Sequence, residues 1–316
     1  MLKILFIASL FLSLLGCDSQ PTAPLKVAAH IWPGYEFMFL AQQEKWLDPQ
    51  QVNLIQTHSA TESLQALKEG KIDAAALTLD EVLRARADGI DLTVILIFNI
   101  SAGADMLLAK PEFTTIQQLK GKRIGLEQGA LGAIMLAKLL QQNNLTADDI
   151  QQIPVNINQA YAAWQNNEVD ALITYEPLAS QLLANHAHKL FDSRDIPNTI
   201  IDVLAIRTKN INHHQPAIRH LIAQHFKAFN HFHNNIQDAS YRMATHLQLA
   251  PEKVLTQYKG LLLANINYNK QLMQNPASSL LKNTRSLQTL MIKLGIIQTD
   301  KTINDDFFNA SFLPAN

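Results

Sequence analysis

The chain has 316 residues, 47% of them hydrophobic and 17% charged, with a formal net charge of −1 and one cysteine. A near-neutral balance without a Lys/Arg cluster excludes the electrostatic footprint of a nucleic-acid binder, and a lone cysteine excludes an internal disulfide. A chain this long and this apolar builds a sizeable core and ordinarily divides it in two.

Residues 1–16 read as an address rather than as part of the fold. Lys3 supplies a positive start, and Ile4 to Leu15 is an apolar run broken only by Ser9 and Ser13. The run is too short to span a bilayer and suits the core of a secretory signal. It ends Leu14-Leu15-Gly16-Cys17, which resembles the bacterial lipoprotein cleavage box. That resemblance implies cleavage before Cys17 and acylation of its thiol, and several acyl chains hold a protein to a bilayer stably. Asp18 after the cysteine implies, as in enterobacterial lipoproteins, retention at the inner membrane. Residues 17–24 form a short polar tether. No second apolar run of membrane-spanning length follows, so the body is expected to be soluble.

Leu25 to His30 is an apolar strand that runs into Ile31-Trp32-Pro33-Gly34-Tyr35-Glu36. Pro33 limits Trp32 to extended backbone, and Gly34 permits a sharp or left-handed bend. Helical spacing then runs through Phe37, Leu40 and Ala41 and extends to Trp46 and Leu47. Trp32 and Tyr35 therefore stand between a strand's carboxyl end and a helix start, where ligands bind in open α/β sheets. The same rings can also simply pack the top of the helix.

The pattern repeats. Gln51 to Gln56 alternates as a half-buried strand. Ser59 with Glu62 forms a capping box for a helix carrying Leu64 and Leu67 and closed by Gly70. Ile72 to Leu77 is a buried strand ended by Thr78. Leu79-Asp80-Glu81 opens a helix that stops at Gly89, and Leu92 to Phe98 is a fourth strand. Three helix starts thus offer unpaired backbone N–H groups, which suit an anionic group, although Ser59 and Thr78 serve equally well as plain N-caps.

Asn99 to Asp105 interrupts the apolar run before Met106 to Ala109 resumes it. Polar groups at 99, 101 and 105 need partners, which a hinge facing a wet cleft supplies. A second set follows: a short helix and turn over Thr115–Lys122, a strand Arg123–Leu126, and the junction Glu127–Gly132 into a helix Ala133–Gln142. That junction matches neither a phosphate-binding nor a dinucleotide fingerprint and reads as a nest of backbone N–H groups. Ile150–Val155 is a strand, Asn156–Asn158 a cap, and Ala160–Gln165 a helix. Asp170–Thr174 is a strand leading to Tyr175-Glu176-Pro177, with Pro177 suited to the first turn of the next helix. Ile200–Ile206 is the returning strand. Residues 215–300 carry helical stripes such as Ile218, Leu221, Ile222, Phe226 and Phe229. Six of the 11 histidines fall between His213 and His233. None is three or four residues from another, the spacing a helical metal site wants, so no metal site is expected and a solvated or half-buried face is.

Trp32–Glu36 with Leu40-Ala41, Lys68–Ala74, Ser101–Asp105, Leu119–Gly125, and Glu168–Ala171 with Tyr175–Pro177 occur in an order that resembles a type II periplasmic solute-binding protein of an ABC importer. The resemblance covers about residues 25–300, and the group is the one that handles nitrate, alkanesulfonates, taurine and thiamine precursors. It implies an α/β protein of two doubly wound lobes joined by two hinge strands, with a helical C-terminal tail. Lobe 1 would take 25–102 plus 204–316, and lobe 2 would take 103–203. It further implies a periplasmic monomer that closes on a small-molecule solute and docks on an inner-membrane permease. One branch of the superfamily makes a thiamine precursor but carries a cysteine-rich iron motif that this chain lacks. No Gly-x-Ser-x-Gly, His-Glu-x-x-His or reactive cysteine occurs either, so neither catalysis nor a cofactor is expected.

The site roles the resemblance implies fall on Trp32, Tyr35, Ser59, Thr78 and Asp80 from the first lobe and on Gly129, Ala130, Asn156 and Glu176 from the second. Asn99, Asp105 and Asp202 stand at the crossings. Trp32, Tyr35, Asp80, Asp105, Glu176 and Asp202 make an aromatic and acidic set, with no lysine or arginine at a predicted strand end facing the cleft. Rings and carboxylates favour an amine-bearing, zwitterionic or nitrogen-heteroaromatic solute. An alkanesulfonate or nitrate is the alternative ligand, and structural roles for Asp80, Asp105 and Asp202 stay open. The alternative function is a sensory module of the same fold that signals to a membrane kinase or diguanylate cyclase.

Overall fold

Strand β1 (Leu25–His30) is buried at every position except Lys26, so both of its faces must be covered. It lies in parallel between β2 (Val52–Thr57) and β3 (Ala74–Thr78). The crossovers are α1 (Glu36–Gln43), reached through a 3₁₀ turn over Pro33–Tyr35, and α2 (Ala60–Lys68). A computed structural model describes residues 23–127, 130–274, 279–298, 303–304 and 306–315. The expected signal run, Cys17 and the tether up to residue 22 lie outside the described residues. Among the described residues no helix is long and apolar enough to cross a membrane.

After α3 (Leu79–Ala87), β4 (Leu92–Ser101) is buried throughout. It passes Phe98, where the apolar pattern suggested an end, because Asn99 and Ser101 find partners inside the protein rather than in water. The chain then leaves for a second sheet. That sheet holds β5 (Met106–Ala109), β6 (Arg123–Leu126), β7 (Gln151–Pro154), β8 (Ala171–Thr174) and β9 (His188–Asp192), in the order β7-β6-β8-β5-β9. Helices α4 (Ala130–Gln142), α5 (Ile157–Gln165) and α6 (Leu178–Ala184) connect its strands. β10 (Ile201–Arg207) returns to the first sheet, antiparallel between β3 and β4.

The first sheet is completed from the tail, after α7 (Ile211–Asn234), α8 (Ile236–Ala244) and α9 (Pro251–Val254), by β11 (Leu261–Leu263), giving the order β11-β4-β10-β3-β1-β2. Helices α10 (Ile266–Met273) and α11 (Ser279–Lys293) follow. β9 and β11 carry no alternation that marks them in the sequence, and only their neighbours make them strands.

Two mixed sheets therefore form two lobes, each with apolar clusters on its own faces. The two crossings are bolted together. Ser101 Oγ lies 2.7 Å from Ser193 Oγ, the Gly103 N–H donates to Ser193 Oγ at 2.6 Å, and the Ser193 N–H donates to the Asp105 carbonyl at 2.9 Å. The Ala102 N–H also donates to the Gly260 carbonyl at 2.6 Å. Gly260 is at φ +85°, and a Cβ there would meet the Gly103 and Ala104 backbone at 2.7 Å.

Three local expectations change. Helix α1 stops at Gln43, short of Trp46 and Leu47, since Lys45 turns left-handed at φ 59°. Trp46 packs instead against His231 with Lys227 over its ring. Gly34 sits in the 3₁₀ turn and needs no left-handed bend; a Cβ there would lie 1.9 Å from Asn99 Oδ1, so the constraint is space. The Thr115–Lys122 helix shrinks to a 3₁₀ turn over Ile116–Leu119.

The histidines of α7 divide by burial. His220 accepts from the Asp48 N–H, and His231 Nε2 meets Asp238 at 2.8 Å. His225 is 1% exposed against the rings of Phe37, Phe98 and Phe226. Neither of its ring nitrogens has a partner among the described residues, and burial lowers its pKa to about 3. An unpaired buried polar ring is unfavourable. His225→Leu should therefore raise stability by about 1–2 kcal/mol at pH 7, read as a higher urea midpoint with an unchanged slope.

Candidate functional site

The carboxyl-terminal ends of the parallel strands in both sheets face one another across the crossings. Between them lies a cavity of about 50 Å³. That is space for roughly three to five water-sized groups. His30, Trp32, Tyr35, Ala60, Thr78, Glu81 and Asp202 line it from the first sheet and its helices. Asp105, Glu127, Leu131, Gly132, Ile173, Tyr175 and Ile200 line it from the second sheet and the crossings. A wider groove of about 890 Å³ shares His30 and Tyr175 with the cavity and runs on past His58, Tyr161, Glu176 and Gln257.

Four rings form one part of the wall. Trp32 and Tyr175 meet edge to face at 5.4 Å, His30 and Tyr35 at 5.3 Å, and His30 lies 6.2 Å from Tyr175. Burial lowers the His30 pKa to about 4, so its ring is neutral at physiological pH. Trp32 is 4% exposed and Tyr35 is 1% exposed, and both belong to the first lobe's apolar cluster. The same rings thus pack the helix top and face the cavity.

Carboxyl groups form the other part, and no lysine or arginine is among the described lining residues. Burial raises the Asp105 pKa to about 7. Burial, then the charge of Asp105, raises Asp202 to about 8. Asp80 rises to about 6 through burial, with Arg84 opposing. Glu81 is pushed well above the usual range by burial and then by Asp80, and burial also raises Glu127. Desolvation is the largest cause in every case.

The expected site residues separate accordingly. Trp32, Tyr35, Thr78, Asp105 and Asp202 come together around the cavity. Asn99 stands behind it, accepting from Trp32 Nε1 at 3.2 Å and donating to Asp202 at 2.6 Å. Asp80 is buried in the first turn of α3, and one of its oxygens has no partner among the described residues. Ser59 N-caps α2, accepting from the Glu62 N–H at 3.2 Å. Asn156 stands at the N-cap of α5 without a side-chain bond. Glu176 borders the outer groove and accepts from the Ser180 N–H and hydroxyl. Gly129 lies outside the described residues, and Ala130 is the first residue of α4.

Sequence reasoning passed over His30, Glu81, Glu127 and Tyr175. Each lies in or beside a strand end or junction it singled out, and a signal was available: each ends a strand, opens a helix, or borders such a junction.

The sequence model of the NMT1-like family matches residues 18–248. The putative aliphatic sulfonates-binding protein of Escherichia coli (strain K12) is 27% identical over 167 residues, 52% of each chain, so the match spans about half the length of that relative. The alkanesulfonate-binding protein SsuA from Xanthomonas axonopodis pv. citri, bound to MOPS, superposes with a TM-score of 0.74 at 19% identity, covering 89% of this chain and 96% of that one. The desulfurization enzyme DSZB superposes with a TM-score of 0.64 at 13% identity, covering 92% of this chain and 97% of that one. The fold is therefore the type II periplasmic binding fold, and its neighbours include binding proteins and an enzyme.

Proposed function

The chain belongs to the NMT1-like family, and from that premise we propose that it is the solute-binding component of an ABC importer, taking a small amine-bearing or zwitterionic solute between its lobes. It works outside the cytoplasm, tethered by lipid on Cys17. A ligand that touches both lobes favours the closed arrangement and shifts the population toward it, and the closed form is what a permease recognises.

One observation carries the ligand class: buried carboxyl groups and neutral rings share a cavity whose described lining contains no lysine or arginine. A protonated amine supplies the missing charge and faces rings on several sides. The starts of α2 and α4, which bring Ala60, Leu131 and Gly132 to the wall, add N–H groups for the anionic end of a zwitterion. The E. coli relative is named for aliphatic sulfonates. A bare sulfonate here would rest on those helix starts alone, facing the carboxyl groups.

Calorimetric titration of the purified chain with amines, zwitterions, nitrogen heterocycles, alkanesulfonates and nitrate tests the assignment. The nitrogen compounds should bind, and a binder at 100 times its dissociation constant should add about 2.7 kcal/mol to stability. Binding confined to sulfonates and nitrate would sink the cationic reading.

A further inference from the structure

Asp105 and Asp202 both border the cavity, but their hydrogen bonds set them apart. Both oxygens of Asp202 are engaged: Oδ1 accepts the Tyr35 hydroxyl at 2.7 Å, and Oδ2 accepts the Asn99 side-chain amide at 2.6 Å. Asn99 Oδ1 then accepts Trp32 Nε1–H. Asp202 is thus joined to both aromatic residues of the first loop. Both of its oxygens therefore already have partners within the chain.

Asp105 is different. Its side chain bonds Ser101, yet Oδ2 has no partner among the described residues although the residue is only 3% exposed. The charged groups that act on it are Asp80 from α3 and Asp202 from β10, both acidic. Tyr175 feels Glu127, Glu81, Asp105 and Asp202 together, which puts these acids around one small space. Arg84 acts on Asp80 rather than on Asp105. A buried, under-bonded carboxylate oxygen at a cavity wall calls for a positive charge or a donor from outside the chain.

We propose that Asp105 is the residue that ion-pairs with the solute, and that the charged end of the solute is a compact monocation of about five heavy atoms or fewer. Asp202 with Asn99 is a positioning pair that sets the rings of Trp32 and Tyr35 around that cation. The assignment rests on the cationic reading above and adds which carboxylate carries the charge recognition. A cation beside these rings gains from their faces, and a like-sized neutral group gains only the packing.

The experiment compares tetramethylammonium with tert-butanol, two probes of five heavy atoms that differ in charge, titrated into the purified chain and followed by tryptophan fluorescence. The native protein should prefer tetramethylammonium by at least about tenfold. Asp105→Asn should weaken tetramethylammonium by about 100-fold and leave tert-butanol within about twofold. Asn99→Ala should weaken both probes by a similar factor and keep their ratio. As a measurement free of any folding defect, the native protein's tetramethylammonium affinity should rise from pH 6 to pH 8 while tert-butanol stays level. Equal loss of both probes in Asp105→Asn, a ratio that collapses in Asn99→Ala, or no preference for the cation in the native protein overturns the assignment. An amine from the solute panel that binds while Asp105→Asn keeps the preference would leave the importer reading standing and remove this one.

Discussion

Between pH 6.5 and pH 8 the ligand-free protein should lose about 3 kcal/mol of stability as the pH rises. The carboxyl pKa values of Asp105 and Asp202 are raised in the fold, to about 7 and about 8, and that of Glu36 is raised by burial to about 7. Unfolded, these groups ionise near pH 4. Above that pH the unfolded chain has released protons that the folded chain still holds, so stability falls with rising pH until the folded groups ionise too.

His30 and His225 have lowered values, about 4 and about 3, and they destabilise the fold only below their ordinary value of 6.5. Above 6.5 they are neutral in both states, and the acids act alone. A cation in the cavity reverses the trend, because it favours the ionised carboxylates and its binding releases protons. Urea unfolding across this window, with and without tetramethylammonium, reads both effects. A flat ligand-free profile would show that the acids are already compensated.

Gly34→Ala should cost about 3 kcal/mol and abolish solute binding. The added methyl would sit 1.9 Å from Asn99 Oδ1 and 2.9 Å from Trp32 Nε1. Asn99 cannot step aside easily, because its strand β4 is flanked by β10 and β11 and its amide donates to Asp202. The methyl therefore breaks the Trp32–Asn99 bond and turns the indole out of the cavity wall, which leaves a buried amide oxygen unpaired. Gly70→Ala is the control: at φ +70° with open space around it, it should cost only about 1 kcal/mol of backbone strain. Denaturant midpoints give the stability comparison, and tryptophan fluorescence reports the ring. Similar costs at the two glycines would show that the turn has room for a methyl group after all.

Much of the architecture can be read along the chain, because helices and buried strands declare themselves by spacing within about a dozen residues. The run Leu25–His30 followed by the turn at Pro33, the N-cap at Ser59, and the return at Ile201–Arg207 all follow from local patterns, although Glu62 accepts from the His58 N–H and does not close the expected box on Ser59. The rule that strand ends gather ligands pointed to Trp32 and Tyr35, while Thr78, Asp105 and Asp202 entered the candidate site through the resemblance; the structure brings all five around one cavity. β9 and β11 escaped because a strand of three to five residues at a sheet's edge is defined by its neighbours.

Composition and local periodicity determined that this protein is an α/β chain with rings and acids near strand ends, and its two-lobed arrangement was what the resemblance implied. They could not say which acid is free. That depends on bonds from Trp32 to Asn99, from Tyr35 to Asp202 and from Asn99 to Asp202, which span 67, 167 and 103 residues. Only tertiary structure brings such groups within 3 Å or so of each other, and a carboxylate's chemistry is set by which donors reach it and by how much water is excluded. For that reason two aspartates that look alike in the sequence end up with different partners.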